Sequence, residues 1–72
     1  MTRKDYELVA GVIAGRVENA KESKHFGYSD RAIEGWIAVL SDLADMMAYE
    51  LSLDNKAFDR ELFLRNCGVM SE

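Results

Sequence analysis

Proline is absent from this 72-residue chain, and cysteine and histidine occur once each. A single cysteine cannot close an internal disulfide, and one thiol with one imidazole falls short of the ligand set of a structural zinc site. A core this small usually supplies only about 3–5 kcal/mol, so without those two staples the chain depends on tight helix packing or on a second chain. No apolar run approaches the roughly 20 residues needed to cross a bilayer, and the opening MTRKDYELVA is charged where a secretory signal would turn apolar. The expectation is a soluble cytoplasmic protein without a membrane span.

Other chemistry is missing as well. There is no glycine-rich phosphate loop: Gly11 and Gly15 interrupt an apolar periodicity and no Gly-Lys-Ser follows. The carboxylates of the middle segment lack the spacing of a calcium-binding loop. His25 lies in a polar stretch with no second histidine and no paired carboxylates nearby, which leaves it as an exposed loop residue. No catalytic constellation, cofactor site or metal site is expected, and the chain reads as a non-enzyme.

What is present favours helix. Apolar residues make up 49% of the chain, enough for a folded core. Absence of proline, with many Ala, Leu, Glu, Lys and Met, suits long helices. Thr2 and Asp5 have the spacing of a capping box, and Tyr6, Val9, Ala10, Ile13, Val17 and Ala20 then recur at three and four as one apolar stripe. Leu8 and Val12 widen it. Gly11 and Gly15 lie on another strip, where they either admit a close helix crossing or are merely tolerated. The periodicity stops between Ala20 and Ser29, which predicts a loop with Phe26 and Tyr28 folded back over the core.

A second helix is expected from Asp30 to about Leu53, capped by Ser29. Ile33, Trp36, Ile37, Leu40, Leu43, Ala44, Met47 and Leu51 form its core stripe. Glu34, Asp42 and Asp45 fall on the opposite side with Asp30 beside them. A further set, Ala32, Val39, Met46 and Leu53, recurs every seven residues on a third strip. Two apolar ridges on one helix are more than a small monomer needs. Either the other helices flank the second on both sides, or Val39, Met46 and Leu53 serve a partner, most simply in a homodimer.

The segment FDRELFLRNCGV reads as a short, fully punctuated third helix. Asp59 is its N-cap, Phe58 and Phe63 occupy the positions of a hydrophobic staple, and Gly68 holds the left-handed closing position, with Val69 set to meet Leu64. Arg65 suits the negative end of the helix dipole, and Arg60 is placed to pair with an acid of the second helix. Cys67 at a helix C-terminus, where the dipole opposes a thiolate, reads as a buried inert thiol in preference to a nucleophile. The fold class expected over residues 1–72 is therefore all-α: a single-domain three-helix bundle with a long first helix, a long central second helix and a short C-terminal third.

Charge is unevenly spread. Residues 29–54 hold one basic and six acidic groups, while 1–28 hold five basic against four acidic and 55–72 hold three of each. The acidic face made by Asp30, Glu34, Asp42 and Asp45 either keeps the protein soluble or suits a basic protein surface. Nucleic-acid binding is the alternative, through Arg3, Lys4, Arg16, Lys21 and Lys24.

The initial Thr-Arg-Lys-Asp-Tyr and the terminal Asn-x-x-Phe-Asp-Arg-x-x-Phe-Leu-x-x-Cys-Gly resemble the two ends of a family of small, functionally uncharacterised proteins encoded by bacteriophages and prophages. Here these are Thr2 to Tyr6, then Asn55, Phe58, Asp59, Arg60, Phe63, Leu64, Cys67 and Gly68. The likeness is confined to the termini and carries no chemistry. It implies a setting in the cytoplasm of a bacterial host and a protein partner there, in the manner of small phage inhibitors of host or defence complexes, the anti-CRISPR type included.

Overall fold

The computed structural model describes residues 2–69. Three helices, α1 (Arg3–Glu22), α2 (Asp30–Asp54) and α3 (Arg60–Asn66), make up an all-α arrangement, with one 3-10 turn, Ser23–Phe26, between the first two. Each helix begins where a side chain can satisfy its free amides. Thr2 and Asp5 form a reciprocal capping box: the Asp5 amide donates to Thr2 Oγ1 (3.3 Å) and the Thr2 amide to Asp5 Oδ2 (2.9 Å). Ser29 Oγ accepts from Ala32 N–H, and Asp59 Oδ1 from Leu62 N–H. Such caps stabilise a helix by about 0.5–2 kcal/mol when the cap is held in place.

α1 and α2 run antiparallel, so that the start of one meets the end of the other. Asn55, which follows α2, donates its side-chain amide to Tyr6 Oη in the first turns of α1 (3.3 Å). α3 then turns back along both. Phe58 stands edge-on to Tyr6 (ring centroids 4.7 Å) and tilted against Phe63 (5.4 Å), the hydrophobic staple expected at this helix start. Gly68 closes the helix at φ 75°, its N–H bonded to the Arg65 carbonyl (3.1 Å).

The core is built largely from small side chains. Ala10, Ile13, Val17, Ala44, Ala48, Phe63 and Cys67 form one buried cluster, with Tyr6, Val9, Leu40, Met47, Leu51, Phe58, Leu64 and Val69 packed against it. Ala10, Ala44 and Ala48 are fully enclosed, and their short side chains let three helices close on a common line. Ala20 and Ile33 are buried outside this cluster, where only α1 and α2 meet. α2, at 25 residues, is about 37 Å long at 1.5 Å per residue, whereas α3 has seven residues and covers only one end of it. The result is a rod of 42 × 19 × 18 Å.

Several sequence expectations are corrected. α1 does not stop at Ala20 but continues to Glu22 and into the 3-10 turn, helped by Ser23 Oγ donating to the Asn19 carbonyl (3.0 Å). That continuation carries Phe26 out to the tip of the molecule, so neither Phe26 nor Tyr28 covers the core. Both are exposed, and Tyr28 stands edge-on to Trp36 (5.0 Å). Leu8 and Val12 do not widen the buried stripe. Each is two residues from Ala10 and so about 160° around the helix from it, beyond the reach of α2 and α3. Trp36 and Leu43, assigned to the core stripe of α2, are likewise substantially exposed, and Ala48 is buried in their stead. No helix crosses closely at Gly11 or Gly15: a Cβ built on either would meet nothing within 4 Å.

Candidate interaction surface

The long second helix runs unbroken from Asp30 to Asp54 and presents three kinds of side chain around its axis. One face enters the core through Ile33, Ala44 and Ala48, with Ile37, Leu40 and Leu51 half-buried beside them. A second carries acids. The third is apolar and open. Val39, Met46 and Leu53, together with Trp36 and Leu43 on α2 and Leu8 and Val12 on α1, are between 40% and 70% exposed.

The positions of these seven residues follow from helix geometry. α3 lies on the flank of α1 that carries Arg3, Glu7 and Ala14: Arg3 and Glu7 share a depression with Phe58, Asp59, Leu62 and Asn66, and Gly68 approaches Ala14 Cβ. Leu8 and Val12 project from the other flank. On that same side a groove between α1 and α2 is lined by Arg16, Asn19, Tyr28, Trp36, Val39 and Leu40. Along most of their length the two long helices form a layer with α3 against one side and apolar residues on the other, α3 coming round to the apolar strip only near Met46, beside Arg60. The exposed face is broader than the three-residue ridge legible in the sequence, because Trp36, Leu43, Leu8 and Val12 join it.

Asp30, Glu34, Asp42 and Asp45 are all exposed, spread over about a third of the circumference of α2. Asp30 is paired with Lys24 (3.7 Å). Arg60 lines a shallow depression with Asp45, Met46, Tyr49 and Glu50 but lies within 4 Å of no acid of α2, so the pairing expected of it with the second helix is not formed. The basic residues of the first segment do not converge. Arg3 is paired with Glu7 (3.2 Å), Lys21 with Glu18 (4.0 Å) and Lys24 with Asp30, while Lys4 and Arg16 leave α1 in other directions.

Cys67 is completely enclosed, and burial alone pushes its thiol up to about 11 from a usual value of 9.0. A nucleophilic cysteine needs the opposite shift. His25 is exposed in the 3-10 turn. Among the described residues no three His, Cys, Asp or Glu side chains come close enough to hold a metal ion, and no helix is long and apolar enough to cross a membrane. The Asp5 carboxyl is shifted below its ordinary value. Hydrogen bonds from the Thr2 amide and hydroxyl hold it low.

No family model, no curated protein and no solved structure matches the chain.

Proposed function

We propose that the chain is a non-catalytic protein-binding module whose contact surface is the apolar face opposite α3. One observation carries this reading: seven large apolar side chains of two helices, five of them on one strip of α2, stand 40–70% exposed on a molecule only 18–19 Å thick. Continuous apolar patches of this kind on small soluble domains are typical of protein contacts. The resemblance of the termini to phage-encoded proteins supports a bacterial cytoplasm as the setting. It also supports a host enzyme or defence complex as the target, with the module acting as an inhibitor by occupying a surface. The acidic row Asp30, Glu34, Asp42 and Asp45 suits a basic region on such a target.

Affinity capture from bacterial lysate, read by mass spectrometry, tests the reading when run beside Val39→Glu and an Asp42→Lys/Asp45→Lys pair. A stoichiometric partner lost with Val39→Glu, at unchanged helicity, supports the apolar face. Loss only with the lysine pair moves the contact to the acids. No stoichiometric partner for the wild-type chain sinks the proposal. The nucleic-acid alternative is separated by titration with random duplex DNA: tight binding that falls steeply as salt rises would favour it.

A further inference from the structure

One strip of α2, half-buried at Ala32 and exposed beyond it, has an order of its own. Ala32, Trp36, Val39, Leu43, Met46, Glu50 and Leu53 follow one another at alternating steps of four and three. That is the a/d pattern of a coiled-coil seam held for three heptads, with Glu50 the one polar member. A 3.5-residue repeat on an open helix face matches another helix better than a flat or irregular surface, because each side chain then has a hole to enter across the seam.

We infer that this seam is one half of an antiparallel helix pair whose other half is α2 of a second copy of the chain. The inference rests on the reading of this face as a protein-contact surface and names its occupant. Three observations lead to it. The first is area: seven side chains at 40–70% exposure offer roughly 700 Å² of apolar surface, near the ~800 Å² that each partner contributes to a stable complex and above the ~300–600 Å² patch of an ordinary monomer. The second is self-complementarity, since a seam of mixed large and small residues on a straight rod can meet its own copy about a twofold axis. The third is charge. In a parallel pair the two Glu50 carboxylates would stack in one layer, and the acids of residues 29–54 would lie alongside their copies. Antiparallel alignment moves the two Glu50 apart by several turns, so that each faces an apolar layer of the partner instead of a like charge. In the pair, Leu8 and Val12 close the seam from the side, and Asp30, Glu34 and Asp45 remain outward on both copies.

Sedimentation of the full chain over a wide concentration range tests the pairing. The expected mass is twice 8.1 kDa, falling to the single-chain value on dilution or in Val39→Glu and Met46→Glu, with helicity retained because both side chains meet solvent in the single chain. Trp36, the sole tryptophan, reports without any mutation: its emission should shift to the red as the wild-type pair dissociates. A single-chain mass at every concentration overturns the inference, as does a pair that survives Val39→Glu or leaves Trp36 emission unchanged on dilution. Orientation is read from a nitroxide attached at Arg31→Cys, Cys67 being enclosed. A separation beyond ~25 Å is expected for an antiparallel pair at 1.5 Å rise per residue, and a shorter one indicates a parallel pair and overturns the assignment. A chain that stays single yet captures a host protein through Val39 defeats this inference and leaves the proposed function standing; a pair that captures nothing does the reverse.

Discussion

The side-chain amide of Asn55 donates to the phenolic oxygen of Tyr6 at 3.3 Å, joining residues 49 positions apart in the chain. It ties the end of α2 to the first turns of α1 at the level where Phe58 packs edge-on against the same tyrosine ring. The long helices are thereby held in one register, which places Trp36 and Val39 across the groove from Arg16 and Asn19.

Tyr6→Phe keeps the ring against Phe58 and removes only the hydroxyl. A net hydrogen bond is worth about 0.5–1.5 kcal/mol, and 1 kcal/mol corresponds to about 4–8 °C in a domain of this size. Thermal unfolding should therefore show a fall of several degrees, whereas Tyr6→Ala, which also removes the ring, should cost markedly more.

Asp59→Ala removes the acceptor of the Leu62 amide. Loss of an N-cap costs about 0.5–2 kcal/mol. Because α3 is only seven residues long and delivers Phe63 and Cys67 to the core, its fraying should open the thiol. Reaction with an aromatic disulfide reagent in native buffer, very slow for the wild-type chain, should accelerate in the variant while Asp42→Asn leaves it unchanged.

The glycines should respond with opposite signs. Gly11 and Gly15 sit inside α1 with open space where a Cβ would go, so alanine at either should stabilise by about 0.5–1 kcal/mol through lower backbone entropy and better helix propensity. Gly68 has room as well, with Ala14 Cβ at 3.9 Å, but its φ of 75° is left-handed. Gly68→Ala should cost about 1–2 kcal/mol from backbone strain alone. Denaturant midpoints compared across the three variants measure the contrast.

Stability should fall at both extremes of pH, for two identifiable reasons. Asp5 is held low in the folded chain, so its contribution is present above the ordinary value of 3.8 and is lost as pH falls through its lower folded value. Cys67 is raised from 9.0 to about 11, so its contribution is present below pH 9 and lost as pH climbs toward 11. Asp5→Asn should flatten the acid limb of the pH–stability curve and Cys67→Ala the alkaline one, read by chemical unfolding at each pH.

The three helix starts and the stop of α3 were legible residue by residue, whereas the end of α1 was not. Thr2, Ser29, Asp59 and Gly68 each act on backbone groups within about four positions, so the chain itself contains the whole interaction. The acidic row on α2 was legible for the same reason, as was the seven-residue recurrence of Val39, Met46 and Leu53. Periodicity also separated Val17 from Glu18 correctly.

It failed for Leu8, Val12, Trp36 and Leu43. Their spacing is compatible with the core stripes, yet burial at the edge of a stripe depends on what stands opposite. That is decided by how long α3 is and on which flank it lies, and neither is a local property. Phe26 and Tyr28 failed similarly, because the 3-10 turn extends α1 past the point where any helix could cover them.

Local hydrogen bonding and a period near 3.6 thus determined, from sequence alone, three helices, their caps and a buried thiol near the end of the last. Only the tertiary structure decided which apolar residues are left over. A seven-residue α3 on one side of two long helices cannot cover both sides, and the side it leaves open is where α2 carries its heptad seam.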